Sequence, residues 1–259
     1  MKRAFKIFKY EAYNTLRSRF VVGYGLFFLI LTSALSYFSG DVSKVIVSLL
    51  NIVILFVPLV ALVFSSLFFY ATREFTELML VQPVGRKTVY LSKVAGISLP
   101  LALSVALGIG IPLYVFGATP VQVALMATSS FYLTVIFSAI ALLFSVAYDD
   151  RVRGLAFGLA VWIYASVIYD AFILFLGMAF YDYPIENLII LLSVLNPVDL
   201  ARILIVMNLD IAALLGYTGA LFTKFVSSTV GYLIIFATLT LWVVVPVLLG
   251  TFIFNRRDF

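Results

Sequence analysis

The 259-residue chain contains no cysteine and no histidine, and only 11% of its residues are charged. Each shortage removes chemistry. Without cysteine there is no disulfide framework and no thiol nucleophile. Without either residue there is no Cys/His zinc site and no histidine-based triad, and metalloprotease and rhomboid-type chemistry fall with histidine. A soluble domain is about 25% charged and about 45–50% apolar. This chain is 64% hydrophobic with a mean hydropathy of +1.17. So little polar surface cannot cover a globule in water, and the composition specifies an integral membrane protein. The net charge of +5, from 17 basic against 12 acidic residues, fits cationic loops on the cytoplasmic side of a membrane. It requires no nucleic-acid partner.

What is present is long apolar runs. About 20 consecutive apolar residues cross a bilayer as a helix, and six stretches qualify: 20–39, 47–71, 94–117, 121–147, 154–179 and 229–254. The predicted fold is therefore an all-α membrane protein with six transmembrane helices, read as a single domain over 1–259. The first run follows a basic segment without a small-residue cleavage site, so it reads as a retained span. The segment 180–228 holds shorter apolar runs at 188–195 and 203–222, interrupted by Asn196-Pro197 and by Asn208 and Asp210. It is expected to form re-entrant or interfacial helices on the outer side. With the N-terminus inside, 14 of the 17 basic residues fall on the cytoplasmic side, and only Lys44, Arg202 and Lys224 lie outside. Lys and Arg set orientation, so both termini are expected in the cytoplasm and the protein in the plasma membrane.

Two cytoplasmic segments stand out. In "MKRAFKIFKYEAYNTLRSR" (1–19), Phe5, Phe8, Ala12 and Leu16 recur near helical spacing with lysines elsewhere around the helix. This predicts an amphipathic elbow helix in the headgroup layer. Residues 72–93 interrupt the second and third runs. Thr72 is a candidate cap for a short helix with Glu74 in its first turn. Phe75, Leu78, Met79 and Gln82 make one apolar stripe, and Arg73 and Glu77 are i, i+4 partners. Pro83-Val84-Gly85 ends the helix, and Arg86, Lys87 and Lys93 follow. The stripe either packs on the protein's own bundle or receives a cytoplasmic subunit.

The stretch "REFTELMLVQPVGRKTVYLSKVAG" resembles the first cytoplasmic loop of type-2 ABC transporter permeases, and more narrowly the branch that includes the nitrous-oxide-reductase maturation permease. Arg73, Glu74, Glu77, Leu80, Gln82, Pro83, Val84, Arg86 and Lys93 match its pattern. "DDRVRGLAFGLAVWIYASVIYD" (149–170), "LNPVDLARIL" (195–204) and "LLGYTGALF" (214–222) extend the resemblance over most of the chain. It implies a homodimeric permease served by two copies of a separate ABC ATPase, with 72–83 as the coupling helix and Arg73, Glu74, Phe75, Glu77, Leu78, Met79, Gln82 and Pro83 as the coupling residues. No G-x-x-x-x-G-K-[ST] occurs; "GYTGALFTK" (216–224) has the wrong spacing. ATP and magnesium are thus expected on the partner, and no cofactor on this chain.

Asp170 is the costliest residue of the apolar runs, about 2.5–3.5 kcal/mol or more if ionised in the bilayer. It needs a Ser or Tyr hydrogen bond or a cation; Ser166 at i−4 is within helical reach, while the adjacent Tyr169 points elsewhere. An aspartyl-protease reading fails because Gly108-Ile109-Gly110 leads into Ile111 and not into a second aspartate. Gly154 and Gly158 form a G-x-x-x-G that suits close helix packing, within a subunit or at a dimer seam. Asn196 and Pro197 read as cap and first turn of a helix, with Asp199 and Arg202 at i, i+3. The resemblance places these four at an external gate that can touch an extracytoplasmic accessory protein. With only Met178 and Met207 as outer soft ligands, no metal site is expected. The expected function is therefore a transport subunit for export or for transmembrane signalling, without a catalytic site of its own. The competing readings are a stand-alone secondary carrier or channel, which needs several buried charges or an inverted repeat, and a non-transporting assembly factor.

Overall fold

The computed structural model describes residues 2–81, 84–180, 186–206 and 229–256, and all regular structure among them is helical. Helix α1 (Lys2–Arg17) leads into α2 (Arg19–Ser39) and α3 (Val42–Ala71); α4 (Arg73–Val81) is short; α5 (Arg86–Val115) and α6 (Pro120–Ala147) are long. The next run is composite, with α7 (Arg151–Ile163), a π-helical turn (Tyr164–Ile168) and α8 (Tyr169–Ala179). Then come α9 (Glu186–Leu195), α10 (Pro197–Val206) and α11 (Thr229–Arg256). Six of these runs are long and apolar enough to cross a bilayer, namely α2, α3, α5, α6, the α7–α8 run and α11. The pair α9–α10 is bent by 111° at Asn196, where the sequence predicts a break. Gln82, Pro83, Asn208 and Asp210 lie outside the described residues, as does most of 180–228.

Several helices begin earlier than the apolar runs because polar residues cap them. Asp41 Oδ1 accepts the Ser43 amide at 2.9 Å, and Asp150 Oδ1 accepts that of Val152 at 2.8 Å. Thr119 and Gln122 form a reciprocal capping box at the start of α6. Each satisfies amides that a helix start leaves without partners.

Helix α6 is the central post. Of its apolar window 72% is buried, against 11% for the α7–α8 run and 22% for α2 and α11. It packs against α3, α5 and α11. On its α3 side, Ser138 Oγ accepts from Ser65 Oγ at 2.9 Å, and Ser145 Oγ meets Ser66 Oγ at 3.1 Å. Interhelical hydroxyl bonds of this kind fix register where apolar packing alone would not. Glycine sets the closest crossings. A Cβ on Gly108 of α5 would lie 2.7 Å from the Gly25 carbonyl oxygen of α2. The G-x-x-x-G of α7 faces α3 of the same chain: a Cβ on Gly154 or Gly158 would meet Tyr70 Oη at 2.1 Å or Leu62 Cδ2 at 3.0 Å. Those two glycines thus serve close packing within one subunit.

Candidate functional site

The α4 corner is built from side chains of four helices. Arg73 spans the gap to the α6–α7 turn, with Nη2 donating to Asp149 Oδ1 at 2.7 Å and Nε to Glu77 Oε1 at 3.1 Å. The predicted i, i+4 pair is therefore real and is one arm of a fork. Thr72 does not cap α4. Its hydroxyl donates back to the Phe68 carbonyl at 2.9 Å, an oxygen that also accepts the Thr72 amide at 3.1 Å. Lys93, one of the basic residues that follow the turn, is 1% exposed. Its ammonium donates to Thr76 Oγ1 and, at 3.3 Å, to the Thr72 carbonyl, and stands 5.0 Å from the Phe69 ring centre. A lysine at the end of a span is held where carbonyls, hydroxyls and a ring face replace water.

These anchors rotate α4 away from the predicted stripe. Thr76 and Met79 are buried. Phe75 is partly covered, stacking on Tyr10 of α1 with ring centres 5.0 Å apart. Leu78 and Val81 stay 67% and 87% exposed, and Glu74 is exposed beside them. The stripe splits because Arg73 and Lys93 fix the helix by its polar face. Among the described residues, the exposed surface of α4 is Glu74, Leu78 and Val81; the Gln82 and Pro83 assignments lie outside the described residues.

Helix α1 lies along α5 with Glu11 and Thr15 fully buried, and with Phe5 and Leu16 of its apolar side exposed. Neither Glu11 oxygen has a hydrogen-bond partner among the described residues. Burial raises the Glu11 carboxyl above its ordinary range, and the Lys93 charge pulls it part of the way back.

The second polar centre joins residues that the sequence assigned to two separate places. Arg202 of α10 grips Asp170 of the α7–α8 run through both guanidinium ends, Nη1 to Oδ1 at 3.0 Å and Nη2 to Oδ2, and donates from Nη1 to Asp199 Oδ1 at 3.1 Å. Asp170 therefore has its cation, and Ser166 is not its partner. The π-helical turn shifts the register between them, leaving Ser166 Oγ buried and unpartnered among the described residues. Asn196 caps α10 through Oδ1, accepting the Val198 amide at 3.0 Å, and donates from Nδ2 to the Ala165 carbonyl at 2.8 Å. Tyr169 Oη donates to the Leu192 carbonyl at 2.7 Å. The bend between α9 and α10 is thus tied to the π-helical turn through the Ala165 carbonyl.

The family profile of the ABC-2 family transporter proteins matches residues 5–259. The chain belongs to the ABC-2 transporter family. It is similar to the probable ABC transporter permease protein NosY of Pseudomonas aeruginosa, 25% identical over 95% of this chain and 96% of that one. It is also similar to the probable ABC transporter permease protein NosY of Stutzerimonas stutzeri, 26% identical over 99% of both. As an ABC-2 permease it is a multi-pass membrane transport subunit, and the family implies an ABC ATPase partner. Sequence reasoning missed Glu11, Thr76 and the inward turn of Lys93. The available signal was an isolated acid three residues after Phe8, on the apolar side of an otherwise basic helix.

Proposed function

We propose that this ABC-2 permease acts as a homodimer in the plasma membrane, with both termini cytoplasmic, and that two copies of a separate ATPase drive it by docking on α4. ATP and magnesium belong to those partners. Hydrolysis there moves α4 and the elbow helix α1, and the motion drives export or signals across the membrane.

One observation carries this reading. Helix α4 is bolted to the bundle on one side by Arg73 to Asp149 and by Lys93 to Thr76. Its other side offers an acid and two large apolar side chains, Glu74, Leu78 and Val81, which stay exposed among the described residues. A lever needs a rigid attachment and a free contact face, and α4 has both. The excess of Lys and Arg on this side of the chain favours a cytoplasmic placement. At the Arg202 centre, the α9–α10 bend tied to Asp170 and Ala165 suits an outer gate, where an extracytoplasmic accessory protein would act.

The test is Glu74→Lys in the purified permease–ATPase complex. Removing one interfacial charge and inserting its opposite is expected to lower permease-dependent ATP hydrolysis about 10-fold or more, a coupling change of roughly 1–3 kcal/mol. Membrane insertion and thermal stability should be unchanged, because Glu74 is exposed. Undiminished hydrolysis and full retention of the ATPase would remove α4 as the docking element.

A further inference from the structure

The buried charges at the junction of α1, α4 and α5 have no part in the docking face, yet they connect everything behind it. Lys93 hangs the first turn of α4 from α5 by way of Thr76 and the Thr72 carbonyl. A lysine ammonium carries three N–H groups, and these two bonds use two of them. Across the α1–α5 seam stands Glu11, 1% exposed, with both carboxylate oxygens unpartnered among the described residues. Lys93 is the charge that acts on it, although the two make no direct bond. Glu11 has little room to withdraw. Gly96, one turn beyond Lys93, lets the α1 backbone lie so close that a Cβ there would sit 2.5 Å from Glu11 Cβ and 3.2 Å from the Ala12 nitrogen.

A buried carboxylate without hydrogen bonds is unfavourable, and a flexible cation close by is its natural remedy. The same ammonium is also held by α4. We propose that Lys93 is a coupling residue that passes its ammonium between Thr76 of α4 and Glu11 of α1. In the present state it belongs to α4. When α4 is displaced, the Thr76 and Thr72 bonds are stretched, and the ammonium turns to the waiting Glu11 carboxylate. The exchange ties α1 to the third span in proportion as α4 leaves it, so a movement at the docking face becomes a movement of α1. Thr76 loses a donor but keeps its own bond to the Thr72 carbonyl, at 2.9 Å, so neither state strands a hydroxyl.

This rests on the reading of α4 as the docking element. Because the chain has no cysteine, spin labels can be placed at will. Tyr13→Cys on α1 and Val152→Cys at the start of α7 are exposed at 64% and 73% and lie off the α4 face. In the complex with its ATPase, in nanodiscs, nucleotide plus vanadate is expected to shift the distance between these labels. Lys93→Met and Glu11→Gln should each abolish the shift while the ATPase stays bound. Lys93→Arg, which keeps a cation, and the exchange Glu11→Lys with Lys93→Glu should restore it in part. A full shift in Lys93→Met with the ATPase retained would overturn this proposal alone. Failure of both Lys93→Arg and the exchange to restore any shift would do the same, since the pair would then matter only for packing. An unmodified complex that does not hold the ATPase would overturn the docking reading and this proposal together.

Discussion

Replacing Arg202 with leucine is expected to be the most damaging single substitution in the chain. It leaves Asp170 and Asp199, both bonded to the same guanidinium, without a counter-charge in an apolar setting. Removing one partner of a buried ion pair costs about 3–5 kcal/mol. The lower figure applies here, because the Arg202 side chain is 37% exposed. At roughly 2–4 °C per kcal/mol for a chain of this size, the unfolding midpoint in detergent should fall by about 6–12 °C. Expression should fall with it. Neutralising the carboxylates provides the control: Asp170→Asn in the Arg202→Leu background should recover part of the loss, since contacting residues are not additive. Arg202→Lys should recover less than the arginine it replaces, because an ammonium cannot grip Asp170 from two sides. An unchanged midpoint in Arg202→Leu would mean that the carboxylates find other partners or are neutral already.

The second large effect is expected at the far end of the chain. A Cβ on Gly250 of α11 would lie 1.9 Å from Tyr90 Oη and 2.6 Å from Tyr90 Cζ, and the Tyr90 ring is buried against Phe254 with centres 5.4 Å apart. Both sides of the clash are held, so a small shift cannot relieve it. Gly250→Leu should therefore push α11 off the start of α5, at a cost of about 1–3 kcal/mol or more for overpacking. It should also break the Arg86 contact to the Asn255 carbonyl. Thermal unfolding and proteolysis near residue 256 are the readouts. Tyr90→Ala removes the obstructing ring, and the double variant should be more stable than Gly250→Leu alone. A double variant worse than either single one would place the strain elsewhere.

Much of this architecture was legible because membrane spans are written in long apolar runs, and because a helix break at Asn196-Pro197 is a local event. The demand of Asp170 for a partner was also legible. Its answer was not, because Arg202 lies 32 positions away on a separate segment expected to form re-entrant or interfacial helices, not a neighbouring span. Ser166 was the nearer candidate only on a regular α-helix, and the π-helical turn makes that premise fail. Similarly, the stripe Phe75–Leu78–Met79 follows from periodicity. The side of α4 that meets the bundle is decided instead by Asp149, which is remote in sequence. Lys93 and Glu11 looked like ordinary members of a basic loop and a basic helix until the approach at Gly96 brought α1 onto α5. Several buried charges, which a carrier would need, are in fact present in Glu11, Lys93 and Asp199, and it is the family that sets the chain among ABC transporter permeases.

The central claim is that α4 presents Leu78 to an ATPase on the cytoplasmic face. With no native cysteine, Leu78→Cys is a unique reporter. In the native membrane, a cysteine-directed photocrosslinker at this position is predicted to join the permease to an ATP-binding subunit. A membrane-impermeant maleimide added outside intact cells should leave the position unlabelled. Labelling from outside, or a position that neither crosslinks to an ATPase nor reacts from either side, would contradict the account.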